Sequence, residues 1–325
     1  MERCYFDHNA TTPVAPEVLR AMEPCFTRLY GNASSIHSFG QQAKQALEQA
    51  RRQVAALVGC RPQEIVFTSG GTEANNLAVL GAVRHCPRDR RHVLTTTLEH
   101  PSVLDACRRL EKEGVDVTFL KVGAAGVVSP DDVRAALRPD TVLISVMHAN
   151  NEIGTIQPVR EIAALAREAG VAFHSDGVQS AGKIPVEVRD LGVDFYSLSS
   201  HKIYGPKGAG ALFVRRGARL GPILFGGHHE RDRRPGTENV PGLVGLGAAA
   251  ELAARTLPAE SQRLAALRDR LERGLLERIE FAGVNGAAAP RVPNTTNVYF
   301  DYLEGESLVI ALDLRGIAVS SGSAC

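Results

Sequence analysis

The sequence predicts an α/β fold organised on one mostly parallel sheet with helices on both faces. Three observations predict it. Between residues 60 and 214, short apolar runs alternate with longer segments of helical periodicity. The strand runs, such as Thr141-Val-Leu-Ile-Ser-Val-Met147, are apolar almost throughout, as strands buried on both faces must be. The strand-then-helix order repeats, which is how parallel strands are connected.

The elements follow in order. Residues 3–13, Arg3-Cys-Tyr-Phe-Asp-His-Asn-Ala-Thr-Thr-Pro13, read as an N-terminal arm that is first extended and then a polar turn. A helix is expected from Pro16, with Glu17 in its first turn. After a loop-like stretch at 31–38, Ser38 and Gln41 resemble a capping box opening a helix that runs to Gly59. Phe39, Ala43, Leu47, Ala50, Val54 and Leu57 recur at spacings of three and four, giving that helix an apolar face. Strands are expected over 64–68, 92–97, 115–120, 141–147, 171–174, 195–198 and 211–214, and helices over 72–84, 102–113, 131–137 and 159–169. Helical stretches at 240–256 and 260–279 lead into a smaller part with a strand at 294–301, a helix at 305–314 and a strand at 317–320. The expected division is a large domain over 14–250, and a small domain made of 1–13 plus 251–325.

Composition narrows the class. With 325 residues, 44% hydrophobic and 22% charged, the chain can bury a large core, and its net charge of +1 argues against a nucleic-acid or anionic-membrane partner. No apolar run approaches the ~20 residues of a spanning helix, and Met-Glu-Arg-Cys is no signal-peptide start. Six scattered cysteines without a C-x-x-C pair suggest neither a zinc knuckle nor a disulfide framework, so a reducing cytoplasm is expected.

Ligands of such sheets bind beyond the carboxyl ends of the strands, and five of these ends carry chemistry. Thr68-Ser-Gly-Gly-Thr-Glu-Ala-Asn75 places a glycine bend at a helix start, where free N–H groups suit an anion. Leu98-Glu-His-Pro-Ser102 puts His100 just past a strand, where it either caps the next helix or lies against a flat ligand. Met147-His-Ala-Asn-Asn151 offers uncharged hydrogen-bonding groups. Asp176, in His174-Ser-Asp-Gly-Val-Gln-Ser180, either caps a helix or faces a cation, because a carboxylate at a buried strand end is costly alone. In Ser199-Ser-His-Lys-Ile-Tyr-Gly-Pro-Lys-Gly208, Lys202 follows a strand into a tight turn. Taken alone it reads as a surface lysine; within the set it reads as an amine that attacks an aldehyde. An anion cradle, a stacking ring, a carboxylate for a pyridinium, neutral donors and a lysine are together what pyridoxal 5′-phosphate (PLP) requires. The loop Phe225-Gly-Gly-His-His-Glu-Arg-Asp-Arg-Arg-Pro-Gly-Thr237 reads as an interface crossing and not as a metal site, since adjacent loop histidines share no face.

Six ordered motifs, spread over essentially the whole chain, resemble the cysteine desulfurases of the NifS/IscS type. They are Asp7-His-Asn-Ala-Thr-Thr-Pro13, Thr68-Ser-Gly-Gly-Thr-Glu73, His148-Ala-Asn-Asn-Glu-Ile-Gly154, Ser199 to Gly208, Arg234-Pro-Gly-Thr-Glu-Asn239 and Ser320-Ser-Gly-Ser-Ala-Cys325. The resemblance implies a PLP-dependent, aspartate-aminotransferase-like (fold type I) architecture, with a large mixed sheet domain and a smaller α+β domain. It implies that Lys202 carries PLP as an imine and shuttles the substrate's Cα proton. His100 would stack on the ring and Asp176 would hold its nitrogen protonated, with Gln179 and Asn151 on the phenolic side. Gly71, Thr72, Ser199 and His201 would hold the phosphate, and Thr237 would reach the phosphate of a neighbouring subunit in an obligatory homodimer.

The resemblance also places the sulfur nucleophile at Cys325. A thiolate among small neighbours is suited to attack the substrate's sulfur, leaving an enzyme persulfide and alanine. L-cysteine is the implied substrate, and an iron–sulfur scaffold or other sulfur acceptor the implied partner. The Ser-Ser-Gly-Ser-Ala-Cys wording resembles members with a long mobile loop. Members of the family continue past this cysteine, with an arginine for the substrate carboxylate, so the small domain is expected to lack part of its core. His8 stands where relatives often carry another polar residue. A selenocysteine lyase, a plain aminotransferase and a non-turnover cofactor-binding fragment remain the alternatives.

Overall fold

A computed structural model describes residues 3–86 and 91–322. The arm contributes β1 (Cys4–Tyr5), followed by α1 (Pro16–Met22), α2 (Pro24–Thr27) and α3 (Ser38–Leu57). The alternating region supplies β2 (Ile65–Thr68), α4 (Gly71–Arg84), β3 (His92–Thr96), α5 (Pro101–Lys112), β4 (Asp116–Leu120), α6 (Pro130–Ala136) and β5 (Thr141–Ser145). It continues with α7 (Val159–Glu168), β6 (Ala172–Asp176), α8 (Val188–Leu191), β7 (Phe195–Ser199) and β8 (Gly210–Val214). The last part holds α9 (Val240–Leu276), β9 (Ala282–Val284), β10 (Val298–Phe300), α10 (Gly305–Asp313) and β11 (Ile317–Ala318).

Seven strands form the central sheet in the order β2-β8-β7-β6-β5-β3-β4. Strand β8 runs antiparallel to both its neighbours, while the other adjacent pairs are parallel. Alternation along each strand divides the core in two. Val66, Val93, Leu143, Phe195 and Leu212 point toward α4 and α5, whereas Ile65, Phe67, Leu94, Ile144, Phe173 and Tyr196 point toward α3, α7 and α9. Both faces are therefore covered and the predicted mixed, mostly parallel sheet is present.

Four expectations need correction. The cap of α3 is His37, whose Nδ1 accepts from the Gly40 N–H (3.3 Å), and Gln41 bonds the Ser35 carbonyl instead of forming a capping box. Phe39 is half exposed, since the inward face of α3 begins at Gly40 and Ala43; Phe39 lies against Tyr30. The stretches 240–256 and 260–279 are one helix that passes through Pro258. Proline inside a helix costs about 3 kcal/mol, and α9 offsets this by burying Leu243, Leu246, Ala249, Ala250 and Ala253. The strand expected over 294–301 shrinks to β10, because the Asn294 and Thr295 side chains bond Asn9 of the arm. The arm also pairs in parallel with β11, so both ends of the described chain meet.

Candidate active site

Every strand end singled out in the sequence opens on the same edge of the sheet, because β2, β3, β5, β6 and β7 all run parallel. Strand β7 ends at Ser199 and turns at once into a single 3₁₀ turn, Ser200–Lys202, which aims Lys202 back across the edge. Lys202 is buried, 8% exposed, and its Nζ donates to the carbonyls of Asn9 and of Ala10 (2.8 Å). The amine thus sits between the sheet and the arm.

Asp176, the last residue of β6, is 4% exposed. Its Oδ1 accepts from the Val178 N–H (2.9 Å) and its Oδ2 from the Asn75 amide (2.7 Å). The same Asn75 nitrogen donates to Ser102 Oγ (2.9 Å), which lies 2.7 Å from His100 Nδ1. Because the Ser102 N–H also donates to that Nδ1 (3.1 Å), His100 is fixed with its proton on Nε2. His100 therefore caps α5 through one ring atom while its plane stays available. Burial pushes the imidazole below its usual range, and Lys202 lowers it further against an opposing pull from Asp176.

The cradle at α4 has the features an anion needs. Gly71 is buried against Val178 and Ser199, where a side chain's Cβ would lie 2.8 Å from Val178 Cγ2 and 3.4 Å from Ser199 Cβ. Thr72 is exposed at the mouth. The acid of that first turn, Glu73, is occupied: it accepts from the Ser69 N–H (2.8 Å) and pairs with Arg234 (2.8 Å), which leaves the helix N–H groups to a ligand. Ser199 Oγ is buried without a hydrogen-bond partner among the described residues, and its hydroxyl is a donor that fits a phosphate oxygen. His201, bonded to Thr11 Oγ1 (3.1 Å), is pushed down to about 4 by burial and by three nearby lysines, Lys202 foremost. It enters the site as a neutral ring.

Gln179, 4% exposed, donates from Nε2 to the Asn9 carbonyl (2.9 Å) and accepts at Oε1 from Lys183. Asn151 meets the arm through its carbonyl, which accepts from Asn9 Nδ2 (3.2 Å). Its neighbour Asn150 is a turn residue, with Oδ1 taking the N–H groups of Glu152 and Ile153. His148 is likewise structural, bonded to the Tyr196 hydroxyl (2.8 Å) and pushed down to about 4 by burial. Thr237 is exposed, on a loop that lines a cleft of about 220 Å³ with Thr68, Ser69, Arg234 and Glu238. Cys325 lies outside the described residues.

The sequence reading missed Asn75, Ser102, Asn9 and Lys183. Asn75 was open to discovery, since it lies four residues after Gly71 and hence on the same helix face. The reach of Asn9 into the site depends on the fold of the arm and leaves no local signal.

Comparison with known proteins agrees with this geometry. The family described as Aminotransferase class-V matches residues 4–325. A protein of Anaeromyxobacter dehalogenans named cysteine desulfurase IscS is 53% identical over 324 residues, covering 99% of this chain and 80% of its own. One of the same name from Dictyoglomus turgidum is 48% identical over 99% of this chain and 82% of its own. A solved structure described as a NifS-like protein superposes with a TM-score of 0.93 at 38% identity, over 98% of this chain and 87% of that one. Another, described as SspA in complex with cysteine, gives 0.87 at 38% identity over 98% and 89%. By sequence over nearly its full length, and by the sheet that gathers Lys202, Asp176 and His100, the chain belongs to the PLP-dependent class-V aminotransferase family, among the cysteine desulfurases of the IscS and NifS type.

Proposed function

We propose that this protein removes sulfur from L-cysteine to give L-alanine, with Cys325 receiving the sulfur as a persulfide. The observation that carries the reading is the near 50% identity, across 99% of the chain, to proteins named cysteine desulfurase.

The residues present fit PLP. When bound, PLP supplies an electron sink for negative charge developing at the substrate's Cα. Lys202 would carry it and, once displaced, move the proton at that carbon. The paired carbonyls of Asn9 and Ala10 already show where its amine rests when not so bonded. Asp176, kept in place by Asn75 and the Val178 N–H, would hold the ring nitrogen's proton. His100, locked by Ser102, would lie flat against the ring, and Gln179 and Asn151 would face its phenolic side. Gly71, Thr72, Ser199 and His201 would bind the phosphate. The Cys325 thiolate would attack the substrate's sulfur as the Cβ–S bond breaks.

The same reading divides the chain into a large domain over 14–250 and a small one of 1–13 plus 251–325. It also makes the protein a homodimer in which Thr237 reaches the neighbouring phosphate. Exposed Phe26, Tyr30, Ile36, Phe39 and Phe225 support an interface, since a monomer has little reason to leave such side chains in water. Sulfur would pass to an iron–sulfur scaffold or another acceptor in the cytoplasm, and the thiols Cys4, Cys25, Cys60 and Cys107, none in a disulfide, support a reducing compartment. Among the described residues no helix is long and apolar enough to cross a membrane.

The test is mass spectrometry after incubation with cysteine. A single added sulfur on Cys325 with stoichiometric alanine is expected. Unchanged turnover by Cys325→Ser would overturn the assignment and favour a selenocysteine lyase or an aminotransferase.

A further inference from the structure

Lys183 has no place in the mechanism above, yet it sits inside the site. It follows Gln179 by one turn of the loop after β6, is partly buried, and its ammonium contacts Gln179 Oε1. Burial, with Lys202 nearby, pushes Lys183 down to about 7. An amine kept in such surroundings needs a reason.

The reason lies in the chemistry of the amide between its two neighbours. A side-chain amide has one accepting end and one donating end, and either can face either way. The end of Gln179 facing Lys183 is oxygen, which accepts from the Lys183 amine. A main-chain carbonyl only accepts, so the end facing Asn9 is NH2. Lys183 and Asn9 together leave one permitted orientation. The Gln179 nitrogen carries two hydrogens, and the Asn9 carbonyl takes one of them. The second has no acceptor among the described residues. The Asn9 carbonyl is moreover shared with Lys202, so it is a divided anchor, whereas Lys183 is committed to Gln179.

We propose that Lys183 is a positioning residue that holds the Gln179 amide with its spare N–H turned toward the phenolic oxygen of bound PLP. This rests on the reading of the site as the PLP site. Removing Lys183 leaves a buried amide oxygen without its donor, frees the amide to turn, and weakens the hydrogen bond offered to the cofactor.

The experiment compares the visible absorption band of the holoenzyme in wild type, Lys183→Met, Lys183→Arg, Gln179→Leu and the Lys183→Met/Gln179→Leu double variant, alongside PLP retention on dilution. Lys183→Met is expected to shift the band and to release PLP about tenfold more readily, as befits a lost buried hydrogen bond. Lys183→Arg, which keeps a donor, is expected to restore the wild-type band. In the Gln179→Leu background, Lys183→Met is expected to add no further shift. An unshifted band in folded Lys183→Met overturns the proposal, as does an equal further shift in the Gln179→Leu background, which would mean that Lys183 acts without Gln179. Should Lys183→Met fail to fold, Lys183→Arg and Lys183→Gln decide: both keep a donor, so a displaced band in both overturns it. Wild type with no cofactor band would instead refute the PLP reading itself.

Discussion

Replacing Glu99 by glutamine should stabilise the protein, and the gain should grow with pH. Glu99 precedes His100 and is 4% exposed. Its Oε1 accepts from Thr96 Oγ1 and from the Met147 N–H, both at 2.9 Å, while its Oε2 is buried without a partner among the described residues. Burial is the largest influence on this carboxyl and Asp176 adds to it, so despite the two hydrogen bonds its pKa is pushed up from 4.5 to about 8. Between those two values the unfolded chain ionises Glu99 and the folded chain does not. The folded state then holds the extra proton, and stability falls as pH rises, by about 1.4 kcal/mol per pH unit. At pH 7 the accumulated cost is about 3 kcal/mol. Glutamine cannot ionise in either state, and its oxygen can keep both accepted hydrogen bonds. The advantage of Glu99→Gln should therefore be small near pH 5, open through neutrality and level off above about pH 8. In a thermal-shift series across this range, each kcal/mol corresponds to about 2 °C in a chain of this size. A gap between variant and wild type that does not change with pH, or a variant less stable than wild type at pH 8, would refute the reasoning.

Three further outcomes are expected. Glu230→Ala should destabilise by about 3–5 kcal/mol in denaturant unfolding. The Glu230 carboxylate holds buried Arg51 through two hydrogen bonds (2.7 and 2.8 Å) and also accepts the Phe67 N–H; Arg51→Met/Glu230→Ala should cost less than the sum of its single changes. Gly71→Ala puts a methyl group 2.8 Å from Val178 Cγ2, and overpacking of about 1–3 kcal/mol should appear as roughly 5- to 150-fold weaker PLP binding in a fluorescence titration. Cys60 and Cys107, whose thiols burial pushes up to about 12, should resist iodoacetamide near pH 8 while exposed Cys4 is modified, as mapped by peptide mass spectrometry.

The parts of this site that the sequence discloses are those carried by strand ends. Asp176, Ser199 and Lys202 lie at or just past the point where an apolar run stops, and parallel strands bring all such points to one edge. What the sequence conceals is which polar residues serve the ligand and which serve the fold. Asn150 and Asn151 look alike in the chain, yet Asn150 spends its oxygen on two backbone N–H groups of its own turn. Asp176 and His100 each had a capping alternative, and each does accept from a backbone N–H two residues on, at Val178 and Ser102. Capping occupies only one polar atom of each side chain, so it does not compete with the role proposed for it. Helix ends went astray for a similar reason. A capping pattern at Ser38 lost to His37, and a proline at 258 failed to end α9, because tertiary packing outweighs local preference at those points.

The arm shows why a fold-level reading, however accurate, stops short of the site. Asn9 comes from a segment with almost no regular structure, yet its carbonyl accepts from both Lys202 and Gln179. Its side chain meanwhile bonds the Asn151 carbonyl, Thr295 and Asn294. One residue thus ties the lysine at the end of β7 to the turn after β5 and to the segment before β10. A change at Asn294 or Thr295, remote from the sheet edge in sequence, should be felt at Lys202 through this residue, because the bonds of the Asn9 side chain anchor the stretch of backbone whose carbonyl the lysine rests on. Thr295→Val removes the Oγ1 that accepts from Asn9 Nδ2 at 2.9 Å while keeping the side chain's shape. If the tie is real, this variant alters the rate at which added PLP bonds to Lys202 in the apoprotein and leaves the secondary structure unchanged. Identical rates in variant and wild type would mean that the Thr295 bond is not needed to hold Asn9 and that the arm's other contacts, among them its pairing with β11 and the Thr12 bond, suffice.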